Sequence, residues 1–474
     1  MRIDKLHLTN FRRFKEHSMK LAPQFNLIVG DNTSGKTAIL DALSIAASAV
    51  VAGRRPEISS SRSIKDSDVR QQSFLHVRTV TWEPQFPCIV SCNGEINGEQ
   101  GGWEFARDSE GKMNSRGAQW AKDKINAVRK HVMEGGSDPL PLVCYYGTER
   151  LWRQTNIKST RDYMTKSRLI GYKQCLNPAS DETLILEWFR DQEFASLQRK
   201  VEIPLLEACR RAISTCIRNC KHVYFDAVQK QMVMIVEDTA LPLTFFSDGY
   251  RNMLSMVADI AIRCVTLNPQ LGSEAALETS GVVLIDELDL HLHPKWQREV
   301  IPDLMSAFPR IQFIATTHSP FVIQSLPPTP EVQLVNLDDQ LNQSIENKSI
   351  EDIAEEIQGV EIPQQSRRFL DMMEKAQEYF SMLQDDSIAT ASDKDAVRDE
   401  LEKTMMPYSD NPAYQALLRM HEIAVESLLD SDKMSLSDSI FQKLMDGDIS
   451  DDFNKRDQDD EEEEGGTELT GGTP

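Results

Sequence analysis

Apolar residues fall in short runs through the first 340 positions, and most runs close on polar or acidic residues. Phe25 to Val29 is a five-residue apolar run that reads as a buried strand. Ala38-Ile39-Leu40-Asp41-Ala42-Leu43 opens a helical pattern that reaches about Gly53. Alternating runs at Val77 to Trp82 and Cys88 to Cys92 predict a flanking antiparallel sheet. Glu182 to Lys200 and Pro204 to Cys220 carry apolar positions at helical spacing, so 151–240 reads as mainly helical. Continuous apolar runs return at Gly281 to Ile285 and from Gln312, and Val332 to Leu337 reads as one last strand. From Ser349 onward the spacing is helical. Phe369, Met372, Met373, Ala376, Phe380 and Leu383 share one face, as do Tyr414, Leu417, Leu418, Ala424, Val425 and Leu428. Each stripe is expected to bury against the other or against a partner. Asp457 to Thr473 is acidic, almost free of apolar residues, and expected to be disordered.

Between the first buried strand and the first helix lies Gly30-Asp31-Asn32-Thr33-Ser34-Gly35-Lys36-Thr37, a complete G-x-x-x-x-G-K-[ST] phosphate loop. A strand, a glycine-containing turn and a helix N-terminus create a concavity of backbone N–H groups at a positive dipole end. Gly30, Asn32, Thr33, Ser34, Gly35, Lys36, Thr37 and Ala38 would cradle the phosphates of ATP. Lys36 would reach the β- and γ-phosphates, and the Thr37 hydroxyl would ligate Mg2+.

Two later strands carry matching chemistry. The run at Gly281 ends in Asp286-Glu287, the pattern of a Walker B element. Asp286 would hold the Mg2+ shell, and Glu287 would orient or deprotonate the attacking water. The run at Gln312 ends in Thr316-Thr317-His318-Ser319-Pro320. His318 falls at the C-terminal end of a predicted parallel strand, where open α/β sheets place ligands, and reads as a γ-phosphate or water sensor.

With these motifs in place, the chain resembles the RecF, Rad50 and SMC type of ABC ATPases. Met1 to Arg12 looks like their opening strand, and Phe246-Ser247-Asp248-Gly249-Tyr250-Arg251 is similar to the ABC signature. Leu288-Asp289-Leu290-His291-Leu292-His293-Pro294 looks like the D-loop of the OLD-like branch, which Pro141 to Trp152 also resembles. Within that branch the match extends to the ATPase subunits of two-component Septu anti-phage systems.

The resemblance implies an α/β fold: an ABC-type P-loop ATPase head with a mixed central sheet and a flanking antiparallel sheet over residues 1–340, holding a helical insertion at about 151–220. An acidic α-helical region for partner binding or assembly (341–450) and an acidic tail (451–474) would follow. It also implies ATP bound between two heads, with Ser247 and the Gly249 N–H serving the γ-phosphate held by the partner chain and Arg12 lying near the nucleotide. Asp248 replaces the usual glycine and Thr33 another, so slow hydrolysis is expected.

Charge and composition narrow this reading. The chain holds 52 Lys+Arg against 74 Asp+Glu. Residues 341–474 hold 12 basic and 34 acidic side chains, which leaves 40 and 40 in residues 1–340. The acidic end would repel nucleic acid. Arg54-Arg55 and Arg62 to Lys65 form a small basic cluster that reads as a solvated loop before it reads as a DNA contact. No apolar run nears the roughly 18–20 residues of a membrane span, and no signal peptide precedes the first strand, so a cytoplasmic protein without membrane contact is expected. The eight cysteines form no C-x-x-C, and Cys216 and Cys220 read as packed thiols one helical turn apart. His291 and His293 lack a third ligand at fitting spacing, which favours D-loop or structural roles over zinc. No TOPRIM or H-N-H pattern appears, so the chain is not expected to cut nucleic acid itself.

Two functions remain open. One is a regulatory ATPase that controls a separate HNH nuclease, meets DNA through that complex and assembles as a head-to-head dimer or larger unit. The other is a repair-type ATPase that clamps DNA directly.

Overall fold

The computed structural model describes residues 1–51, 62–75, 79–110, 112–150, 167–177, 182–338, 348–360 and 375. The helical stripes beyond 360, the acidic tail and Arg54-Arg55 lie outside the described residues. The unit that carries the site is Met1–Gly359.

Two strands open the chain, β1 (Arg2–Phe11) and β2 (Phe14–Lys20), followed by β3 (Phe25–Val29) and helix α1 (Lys36–Val51). A hairpin, β4 (Gln71–Leu75) and β5 (Val80–Pro84), leads to β6 (Cys88–Ile96), β7 (Glu99–Ser109), β8 (Lys112–Asn114) and α2 (Gln119–Met133). Strand β9 (Leu142–Tyr146) precedes α3 (Glu182–Arg199) and α4 (Pro204–Cys216). Three strands, β10 (Cys220–Asp226), β11 (Gln231–Val236) and β12 (Thr239–Pro242), then lead to α5 (Asp248–Leu267). The remaining elements are α6 (Ala275–Glu278), β13 (Gly281–Ile285), α7 (Pro294–Gln297), α8 (Val300–Ala307), β14 (Ile311–Thr316), α9 (Pro320–Gln324), β15 (Val332–Asn336) and α10 (Ile350–Asp352).

The central sheet has the order β15-β3-β14-β13-β9. Every pairing in it is parallel. The expectation of a mixed sheet is therefore corrected: the antiparallel pairing is confined to separate sheets. Continuous apolar runs explain this, because β3, β9, β13 and β14 are buried along their whole length, as parallel strands covered on both faces must be. The expected flanking antiparallel sheet is β2-β1-β6-β7-β8 and takes in the Cys88 to Cys92 run, whereas β5, from the other run, pairs only with β4 in a separate two-stranded sheet.

Helix α1 lies between the two sheets and touches both. All its residues are buried except Thr37 and Asp41. Its alanines allow this close approach, and Trp103 on β7 donates its indole N–H to the Ala46 carbonyl at 3.0 Å. Gln312 on β14 joins the layers. Buried, it donates to the carbonyls of Ile3 and Ala22 at 2.7 and 2.8 Å and accepts from the Ile3 N–H at 2.8 Å. Such full pairing is what a buried amide requires.

One stretch departs from the sequence reading. Residues 220–242 form a three-stranded antiparallel sheet, β10-β11-β12, rather than helix. Cys220 accordingly sits on β10, not one helical turn from Cys216. All eight cysteines are free and buried.

Candidate nucleotide site

The strands β3, β13, β14 and β15 all run toward one edge of the parallel sheet, and the site forms where they end. Past Val29 the chain turns at Gly30 (φ 144°) and Gly35 (φ 100°), a backbone region that L side chains rarely adopt. Between them the loop wraps back so that α1 begins at Lys36 with its free N–H groups at the loop's mouth. The fit is tight: a Cβ on Gly35 would stand 2.7 Å from the Phe14 ring. The Lys36 ammonium donates to the carbonyls of Gly30 (2.6 Å) and Asp31 (2.8 Å). Burial lowers its pKa, opposed by the carboxylates of Asp338, Asp286, Asp31 and Glu287. The Ser34 hydroxyl is buried in the loop without a partner.

On the far side of the loop four polar groups form a chain. The Thr37 hydroxyl donates to Asp286 Oδ2 at 2.9 Å. Thr316, the last residue of β14, donates to Asp286 Oδ1 at 2.6 Å and accepts the Glu287 N–H at 2.8 Å. Glu287 adopts φ 50° in the turn after β13. The carboxylate of Asp286 is thus fixed on both oxygens, and Glu287 is held at its backbone while its side chain lines the cavity.

That cavity has a volume of about 300 Å3. Arg12, Asn32, Thr33, Gly35, Lys36, Thr37, Ala38, Asp286, Glu287 and His318 all line it, although they come from four separated segments. Gly30 and Ser34 shape the loop beneath. His318 is exposed at its rim. Its backbone is tied at both ends: the N–H points to Asp289 Oδ1 at 3.4 Å, and the carbonyl accepts from Gln358 Nε2 at 2.8 Å. Arg12 is held by carboxylates, with Nη2 2.6 Å from Asp41 Oδ2 and 2.9 Å from Asp68 Oδ1.

Ser247 and Gly249 lie in a second cavity of about 400 Å3, with Arg218, Tyr250, His291 and His293 among its lining. Ser247 is exposed at the N-terminus of α5, and its side chain makes no capping bond. Gly249 packs so closely on the D-loop that a Cβ would stand 2.1 Å from the His291 carbonyl oxygen. His293 caps α7 by accepting the Lys295 N–H at 3.2 Å.

The donor set fits a magnesium-bound nucleotide. The N-terminus of α1 and Lys36 border the cavity, and Thr37 with Asp286 offers a hard oxygen pair of the kind Mg2+ takes. Sequence reasoning missed three contributors. Thr316 stood in the noted strand with no signal of its own. Asp338, just beyond β15, accepts the Asp31 N–H at 2.5 Å. Arg13 lines the cavity beside Arg12.

A parallel sheet with a phosphate loop, a strand ending in two acids and an antiparallel lobe over the first helix is the arrangement of a P-loop ATPase head. Comparison with known proteins agrees. Residues 5–221 match a family described as "AAA domain", and residues 228–324 match one described as "AAA domain, putative AbiEii toxin, Type IV TA system". The chain is similar to the "Retron Vc95 probable ATPase" of Vibrio cholerae, 22% identical over 71% of this chain and 74% of that one. It is similar to the "Retron Ec83 probable ATPase" of Escherichia coli, 24% identical over 69% of this chain and 70% of that one. Septu protein PtuA of Bacillus mycoides is 38% identical over 41% of this chain and 24% of its own length. The chain is thus similar to retron ATPases along most of their length and to PtuA over about a quarter of its length. Among the described residues, no helix is long and apolar enough to cross a membrane.

Proposed function

We propose that the chain is the ATP-hydrolysing regulatory subunit of a cytoplasmic anti-phage defence complex, in which two heads close around ATP and control a separate HNH-type nuclease. The observation that carries this reading is a division within one head. The phosphate loop, Asp286 and Glu287 line one cavity, and Ser247 with Gly249 lines another that shares no residue with it. A two-fold pairing of heads would bring each signature to the other chain's phosphates in a single contact.

In that arrangement Lys36 and the loop N–H groups would bind the phosphates, and Thr37 with Asp286 would hold Mg2+, which would supply charge stabilisation there. Glu287 takes the proton of the attacking water, and His318 senses the γ-phosphate. Asp248, exposed beside Ser247, would place a carboxylate against that charge and slow turnover. The relation to retron ATPases and PtuA supports the defence role. The acid excess after residue 340 suits a basic partner face, and DNA would meet the chain through that partner.

The test is light scattering of the Glu287→Gln chain with and without ATP, joined to co-purification with a co-expressed HNH nuclease from the same genomic neighbourhood. Doubling of mass with ATP and retention of the nuclease are expected. A chain that stays monomeric in saturating ATP overturns the head-to-head reading. ATP-dependent DNA binding by the chain alone, without retention of the nuclease, would favour the direct clamp.

A further inference from the structure

The turn between β1 and β2 presents two adjacent arginines to the phosphate-loop cavity, and their surroundings differ. Arg12 is a closed account electrostatically. Its guanidinium meets Asp41 and Asp68, which are 14% and 6% exposed, and Asp41 also pairs with Arg62. Two cations and two carboxylates thus neutralise one another at the wall. Moving Arg12 onto a ligand would leave the nearly buried Asp68 carboxylate without its cation and Asp41 with Arg62 alone, a costly change.

Arg13 is held by no such pair. It is exposed, and among the described residues no carboxylate lies within ion-pair reach of it. Its guanidinium donates to the Thr33 carbonyl of the phosphate loop and lies 5.9 Å from the Phe14 ring centroid. Both contacts are with neutral groups, so among the described residues no anion pairs with its charge. The approach to the loop depends on Gly35, where a Cβ would stand 2.8 Å from Arg13 Cδ. The turn is therefore built to lay Arg13 along the loop, at the cavity's lining.

The cavity's charge needs such a group. Asp286 and Glu287 both line it, and a magnesium-bound nucleoside triphosphate brings further negative charge. Lys36 is the other lining cation not committed to a carboxylate pair. We infer that Arg13, and not Arg12, is the arginine that contacts the phosphate chain of the bound nucleotide, leaving the Thr33 carbonyl for a charge-assisted contact with a phosphate oxygen. This inference rests on the nucleotide-site reading above.

The experiment is titration of the full chain with a fluorescent ATP analogue in Mg2+. It compares Arg13→Ala, Arg13→Lys and Arg13→Gln with Lys36→Ala, each first checked for an unchanged melting temperature. Arg13→Ala should weaken binding at least about tenfold, the scale of one charge-assisted contact. Arg13→Lys should recover most of the loss. Arg13→Gln, which keeps a donor for the Thr33 carbonyl but no charge, should not. If Arg13→Gln recovers binding as well as Arg13→Lys, the residue only steadies the loop and the inference is overturned. It is overturned equally if Arg13→Ala binds within twofold of wild type while Lys36→Ala fails. If Lys36→Ala also binds normally, the nucleotide-site reading itself falls, and the inference with it.

Discussion

Thr37 and Asp286 stand 249 positions apart in the chain, yet the threonine hydroxyl donates to the aspartate at 2.9 Å. Asp286 is the first residue past β13, Thr37 is in the first turn of the helix that the phosphate loop joins to β3, and β14 separates the two strands in the sheet. The contact is a direct product of strand order. Thr316, at the end of the intervening strand, closes the gap by bonding the other oxygen of Asp286.

Thr316→Val should therefore hurt both fold and metal response. The isosteric change leaves Asp286 Oδ1 and the Glu287 N–H without their buried partner, which costs about 1–3 kcal/mol. A lower melting temperature and a higher Mg2+ requirement for ATP turnover are expected. Unaltered values of both would show that the hydroxyl is dispensable.

Glu287→Gln should keep Mg-ATP bound and slow phosphate release by at least ~10²-fold, the usual scale for a general base. The amide preserves shape and removes the proton acceptor. Single-turnover phosphate release measures this directly, and near wild-type turnover would exclude Glu287 as the base.

Ser247→Ala and Lys36→Ala chains should each be inactive alone and regain ATPase activity when mixed. Random pairing gives one intact site in each mixed dimer, so roughly a quarter of the wild-type rate is expected with independent sites. No recovery on mixing would place Ser247 and Lys36 in service of one chain's own nucleotide.

Asp303 supplies a pH prediction. It lines a small cleft with Met253, Leu292 and Trp296, and burial raises its pKa to about 6 against a modest opposing effect of Arg218. The folded state then holds the proton more tightly than the unfolded chain. Its contribution is full below the ordinary carboxylate value of 3.8 and is lost as pH rises through about 6. At pH 7–8 Asp303→Asn should be more stable than wild type, by on the order of 1 kcal/mol once screening at this half-buried position is allowed for. Thermal melts between pH 4 and 8 would show the gap opening as pH rises. A constant gap would refute the shift.

The legibility of this chain varied with the kind of signal. Strand β3 and the acidic end of β13 were readable because burial on both faces demands unbroken apolar runs and the phosphate chemistry demands contiguous residues. The sheet β10-β11-β12 was not, although β11 is Gln-Met-Val-Met-Ile-Val. Its turns hold no glycine, proline or asparagine. Asp226 closes the first by accepting the N–H groups of Val228 and Gln229. Lys230 and Glu237 take φ values of 54° and 57° without help from glycine or asparagine. Thr316, Arg13 and Asp338 were hidden for another reason. Each acts through a contact that exists only after distant segments meet, so residue type and local spacing carry no trace of it.

The Gln358 amide donates to the His318 carbonyl at 2.8 Å and ties the last turn of the head to the rim of the cavity. Val360, where the next unit begins, follows two residues after this amide. His318 shares the nucleotide cavity with Glu287. A displacement of the His318 backbone by about 1 Å would take a 2.8 Å contact beyond hydrogen-bonding range. A shift of the His318 backbone would therefore be felt at Gln358, two residues before Val360.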